Sequence, residues 1–282
     1  MESSTLFACY LAQLLYVDLQ WLNSSMGRIF PFEHPANVLA ALAGLSFANS
    51  TPRVYAALKQ ADVPMRAFLL DELVGSARER LIERVALAYI WGDETLMSPV
   101  VEAMFSGARI DDLTELASTV ARWSDEKLKE EQTVRAKDLA KALVEFGVQE
   151  PSERRKLLST ASRFIGFVAK PTDEEMPWLL SVAPYAQGPH GSDHFLEALN
   201  RTVTEDAQKT LEIFDVFMSN YVLGYDYRDS LQGLIRKLDS AGFHAQAIAA
   251  VNRLVKSGGG PKWVELYKEL VGKAPPPTAI EE

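Results

Sequence analysis

Apolar residues recur along this chain at helical spacing, with polar residues filling the positions between them. Leu157, Ala161, Phe164, Ile165 and Val168 form one stripe. Leu211, Phe214, Phe217, Met218 and Tyr221 form a second, and Leu231, Leu234, Ile235 and Leu238 a third. Each set lies on one side of a 3.6-residue turn, as in an amphipathic helix with one buried face. No segment makes a convincing strand, which would alternate with a period of two. The pattern predicts helices over 4–22, 35–48, 52–60, 65–75, 77–91, 98–106, 111–123 and 125–146. It predicts further helices over 151–168, 173–183, 193–201, 204–221, 226–241, 243–256 and 261–272.

The boundaries carry their own chemistry. Thr51-Pro52 and Ser98-Pro99 place a capping hydroxyl before a proline at the first helical position, where a missing N–H costs nothing. His34-Pro35 and Glu150-Pro151 repeat the proline placement. Ser76 with Glu79, and Thr172 with Glu175, have the spacing of a capping box. Gly75, Gly92, Gly107, Gly147, Gly224 and Gly242 fall where periodic runs end. The connections are short, so consecutive helices are expected to pack as antiparallel neighbours.

Two stretches interrupt the rhythm. Residues 124–156 are dense in charge, with Glu131 and Arg135 spaced to pair along a solvated helix face. Residues 184–192 (Pro-Tyr-Ala-Gln-Gly-Pro-His-Gly-Ser) are rich in turn formers and read as a loop or seam. The expected organisation is a helical array without exact repeat over 1–183, the seam at 184–192, a repeat-like sub-bundle over 193–273 and an extended tail over 274–282.

The segment from Tyr225 to Gly258 is the most patterned. One helix ends at Asp239-Ser240-Ala241-Gly242, and the next begins at Phe243 and carries Ala245, Ala247, Ile248 and Val251. Gly242 permits a tight turn, and the small Ala247 lets paired helices approach closely. This resembles a tetratricopeptide-type helix–turn–helix unit, and Lys262 to Leu270 supply a capping helix. The arrangement also resembles HEAT-like arrays and the C-terminal helical regions of large bacterial signalling or defence NTPases. The resemblance implies an all-α, irregular α-solenoid of antiparallel helix pairs that recognises or scaffolds a partner.

Composition narrows the function classes. The chain has 282 residues, 48% of them hydrophobic, enough to bury a core. A formal charge of −9 disfavours a sequence-independent grip on phosphates, so no nucleic acid partner is expected. Cys9 is the one cysteine, which excludes an intrachain disulfide and reads as a small buried hydrophobe in a reducing compartment. No stretch approaches the roughly 20 apolar residues of a membrane span, and Glu2 stands where a signal peptide has a basic region. The expectation is a cytoplasmic protein without membrane attachment.

The catalytic-looking strings read as helix starts and turns. Asp111-Asp112-Leu113-Thr114-Glu115 is similar to the DDxxE string with which class I terpene synthases hold Mg²⁺. The second metal-binding string of those enzymes has its nearest counterpart at Asp215 and Ser219, but Leu223 occupies the acid position. Asp111 and Asp112 instead suit the positive end of a helix dipole. His190-Gly-Ser-Asp193-His194 gathers metal-ligand types, yet in a glycine-rich turn where Ser192 or Asp193 serves as a cap. Glu174, Glu175 and Trp178 could suggest an acidic-aromatic binding ledge, but Glu174 and Glu175 fit the first turn of a capped helix. Gly258-Gly259-Gly260-Pro261-Lys262 reads as a linker into a helix, and Arg154, Arg155 and Lys156 as a solvent-facing basic trio.

No catalytic, cofactor or metal residue is therefore assigned, and none of the common nucleotide or hydrolase motifs is present. The expected function is non-catalytic protein–protein recognition or scaffolding, with a protein partner or another domain of a larger assembly. The alternative is a helical enzyme or small-molecule binder with its site in a bundle cavity, built on Asp111/Asp112 or His190/His194. A third reading has residues 4–22 docking on a partner subunit, which predicts a large exposed apolar patch.

Overall fold

The structure, a computed structural model, describes residues 2–107, 109–124, 126–187, 192–219, 221 and 228–272. Among them every regular element is helical, so the fold is all-α. The chain divides into two compact units, Met1–Leu139 and Ala140–Glu282.

The first unit holds α1 (Glu2–Cys9), α2 (Leu11–Val17), α3 (Leu19–Ile29), α4 (Pro35–Leu45), α5 (Pro52–Gln60) and α6 (Val63–Phe68). It continues through α7 (Gly75–Trp91), α8 (Pro99–Ser106), α9 (Ile110–Ala121) and the start of α10 (Glu130–Gly147). The long helix α7 is its hub, packing against α4, α5, α6 and α9. Leu81, Ile82, Val85, Ala88 and Tyr89 bury its apolar stripe.

Several expected helices are cut short, each for a local reason. The run 4–22 breaks into α1, α2 and α3 because Asp18 turns extended (φ −155°, ψ 96°) and its carboxylate accepts the Trp21 N–H at 2.9 Å. A capping acid there ends one helix and starts the next. The helix expected over 65–75 opens early, at Val63-Pro64, and stops at Phe68. The Phe68 and Leu73 carbonyls then both accept from Arg78. The helix expected from 125 begins at Glu130, after Gln132 Oε1 accepts the Lys129 N–H.

Capping follows the expectation in part. Thr51 caps α5 by accepting the Val54 N–H. Ser98 precedes α8, but its hydroxyl reaches backward to the Thr95 N–H instead. The box expected at Ser76 and Glu79 does not form, because α7 starts at Gly75 and its cap position is Val74. At Thr172 and Glu175 half of the box exists, with Glu175 Oε2 accepting the Thr172 N–H at 2.9 Å.

The second unit holds the rest of α10, α11 (Arg155–Ala161), a 3₁₀ segment (Ser162–Phe167), α12 (Met176–Val182) and a shorter 3₁₀ turn (Ala183–Tyr185). It ends with α13 (Ser192–Thr202), α14 (Ala207–Ser219), α15 (Arg228–Ser240), α16 (His244–Lys256) and α17 (Pro261–Gly272). Helix α13 packs on α14, α15 and the longer 3₁₀ segment, with the Phe195 and Phe217 rings stacked 5.6 Å apart. Gly242 (φ 98°) makes the tight turn between α15 and α16, and Ala247 is fully buried where they meet. Helix α17 packs on α16 through Trp263, Leu266 and Leu270. Of the expected seam, residues 188–191 lie outside the described residues, as do 222–227 at the start of the repeat-like segment and the tail from 273.

Polar ties between distant segments among the described residues join partners 30 to 46 residues apart. Six of them, Thr5 to Ala40, Lys59 to Asp93, Arg78 to Asp112, Arg84 to Ser50, Lys237 to Asn200 and Arg253 to Ser219, span 34 to 37 residues. Two helices and their turns span about that length.

The backbone of α1 rests directly on α4. Thr5 donates its hydroxyl to the Ala40 carbonyl at 3.1 Å, and a Cβ at Gly44 would collide with the Thr5 carbonyl. Both atoms belong to main chain and cannot step aside. Gly44→Ala is therefore expected to destabilise the protein by about 2 kcal/mol. Gly27→Ala, in α3 with open space around it, is expected to gain about 0.5–1 kcal/mol. Urea unfolding followed by circular dichroism measures both.

Candidate functional site

The charged groups most suggestive of chemistry are spent on the fold. Asp112 is 5% exposed on the first turn of α9, and Arg78 is 7% exposed on α7. Arg78 Nε donates to Asp112 Oδ1 at 2.8 Å and Nη2 to Oδ2 at 2.7 Å, a bidentate pair. The remaining guanidinium nitrogen donates to the Phe68 and Leu73 carbonyls, and its face lies 4.7 Å from the Phe68 ring. Both Asp112 oxygens are thus committed to a cation. Asp111 beside it is exposed, and Glu115 accepts from the Thr119 hydroxyl at 3.3 Å. Among the described residues, no three His, Cys, Asp or Glu side chains gather as a metal site.

A second buried acid, Glu94, follows α7 and is 2% exposed. Its Oε1 accepts the Tyr55 hydroxyl at 2.8 Å and lies 3.1 Å from Lys59 Nζ, while Oε2 has no partner among the described residues. Burial, reinforced by the Glu94 charge, pushes the Tyr55 phenol well above its ordinary range. Burial likewise raises Tyr89, whose hydroxyl donates to the Arg135 carbonyl at 3.1 Å. Burial lowers Arg84 to about 10; its partners are Ser50 and the Leu45 and Ala48 carbonyls.

The other sequence candidates are placed as follows. His194 and Asp193 lie in the first turn of α13, and His190 is outside the described residues. Asp215 is exposed on α14, with its carboxyl raised by partial desolvation; Leu223 is outside the described residues. Trp178 is buried in the core and offers no ledge. Arg154 is not solvent-facing as expected: it is buried, donates to the Phe146 carbonyl at 2.6 Å and lies over the Phe146 ring. Cys9, expected in the core, is only half-buried.

Two open grooves mark the second unit. One, of about 530 Å³, is floored by Met176, Pro177 and Leu180. Its polar rim is occupied: Lys209 pairs with Asp173, Asp206 accepts the Lys209 N–H as a cap, and Gln208 donates to Glu212. The other, of about 550 Å³, is bordered by Arg236 and Lys237, which bond Glu269 and the Asn200 carbonyl. Neither groove gathers the convergent free polar groups of a ligand site.

The unspent surface is apolar and lies at α1–α3. Leu6, Phe7, Tyr10, Tyr16, Val17, Leu19 and Trp21 are all exposed, Tyr16 by 89% and Val17 by 80%. These are seven of the fifteen exposed large apolar side chains among the described residues, within one tenth of the chain. The Phe7 and Trp21 rings meet at 5.7 Å, which brings α1 and α3 together at this surface. At about 200 Å² per large side chain, the seven expose roughly 800 Å².

No family model, curated protein or solved structure matches this chain. The α1–α3 face is therefore judged on its own chemistry. From Ser3 to Gly27 the sequence holds one charged residue, Asp18, and that carboxylate is occupied by the Trp21 N–H. Sequence reasoning marked residues 4–22 as a docking element but did not single out Tyr16, Val17, Leu19 or Trp21. The signal available was the uncharged run itself. Among the described residues no helix is long and apolar enough to cross a membrane.

Two expected outcomes test the assignment of the buried groups. Asp112→Ala strands the buried Arg78 guanidinium and is expected to cost about 3–5 kcal/mol, whereas Asp111→Ala costs less than about 1 kcal/mol. Denaturant unfolding of the two variants makes the comparison. The tyrosines predict an alkaline loss of stability. Their folded pKa values lie above the unfolded value near 10, so their contribution is complete below that pH and drains away above it. Arg84, shifted the other way, offsets part of the loss. The double variant Y55F/Y89F should be less stable at neutral pH yet show a shallower decline above about pH 10, read from unfolding curves across pH.

Proposed function

We propose that this chain is a non-catalytic helical scaffold for protein recognition, docking through the α1–α3 face. The observation that carries the reading is the concentration of seven exposed large apolar side chains between Leu6 and Trp21. Water-exposed aromatic and aliphatic side chains at that density gain free energy only when covered. The occupant is a protein surface that is apolar and uncharged, as the face is. Arg28 is the one Lys or Arg in α1–α3, too little basic charge to hold peripheral helices on anionic lipid.

The rest of the chain supports a scaffold rather than a reaction centre. The buried ionisable groups Arg78, Asp112, Arg84 and Arg154 act as ties between helices or between a helix and an adjoining turn. The ties that join segments a few tens of residues apart support helices held by near neighbours in the chain, as in an array of helix pairs. The α15–α16 pair with its Gly242 turn, followed by α17, supports the same reading for the second unit.

Affinity capture of the tagged full chain from its native cells tests the proposal. The triple variant Y16S/V17S/L19S should lose the proteins that wild type retains, an untagged copy of the chain included. The triple variant H190A/D193A/H194A should keep them, with unchanged thermal stability. Retention by the first variant, or loss by the second together with loss of a bound metal, would overturn it.

A further inference from the structure

We draw no further inference here: the strongest candidate, the groove between α12 and α14 floored by Met176, Pro177 and Leu180, carries nothing, because its rim carboxylates Asp173, Asp206 and Glu212 already bond Lys209 and Gln208 and nothing in the structure shows what covers its apolar floor.

Discussion

The bidentate pair of Arg78 and Asp112 is the constraint on which the first unit depends. It joins α7, the hub, to the first turn of α9, and its third nitrogen closes the irregular chain between Phe68 and Leu73. A buried ion pair is weak evidence of net stability, because desolvating two charges offsets most of their attraction. Its value here is geometric. A planar fork with two parallel bonds and two carbonyl acceptors admits one arrangement of three chain segments. Sliding α7 by a turn would leave a cation and an anion buried without partners, which costs far more than a displaced leucine.

The same device recurs with carbonyls in place of the carboxylate. Arg84 holds the end of α4 through Leu45 and Ala48, Arg154 the end of α10 through Phe146, and Lys237 and Arg253 the ends of α13 and α14. The last carbonyls of a helix have no intrahelical donor and carry the negative end of its dipole. A cation from another segment satisfies both needs at once. Helix ends in this chain are thus joined to other segments through their backbones.

Much of the fold was legible in the sequence because its signals are local. Thr51-Pro52, Pro261 and Gly242 each act within one turn, and the helices they bound, α5, α16 and α17, stand where they were expected. Asp18 was not read as a cap, since an aspartate can sit inside a helix or end one, and the neighbours in sequence do not decide which. Arg154 looked like part of a solvated trio because its partners, the Phe146 ring and carbonyl, are set by how the chain turns back after α10. Arg78 was within reach: it lies on the α7 stripe with Leu81, Ile82 and Val85, where a charge predicts a buried partner. That the partner is Asp112 depends on packing between helices, which no spacing rule supplies. The α1–α3 face was legible as an uncharged run, but its exposure was not, because apolar residues are core by default until a structure shows them uncovered.

The boundary between the two units falls inside α10, at Leu139 and Ala140, both buried to the last atom. A helix grows by adding one hydrogen bond per residue to an existing turn, and its nucleus is the costly part. Whichever unit orders its portion of α10 first hands the other a ready-made nucleus, so the two are linked in folding through a shared run of backbone. Severing the chain at that point would leave four carbonyls and four N–H groups without partners.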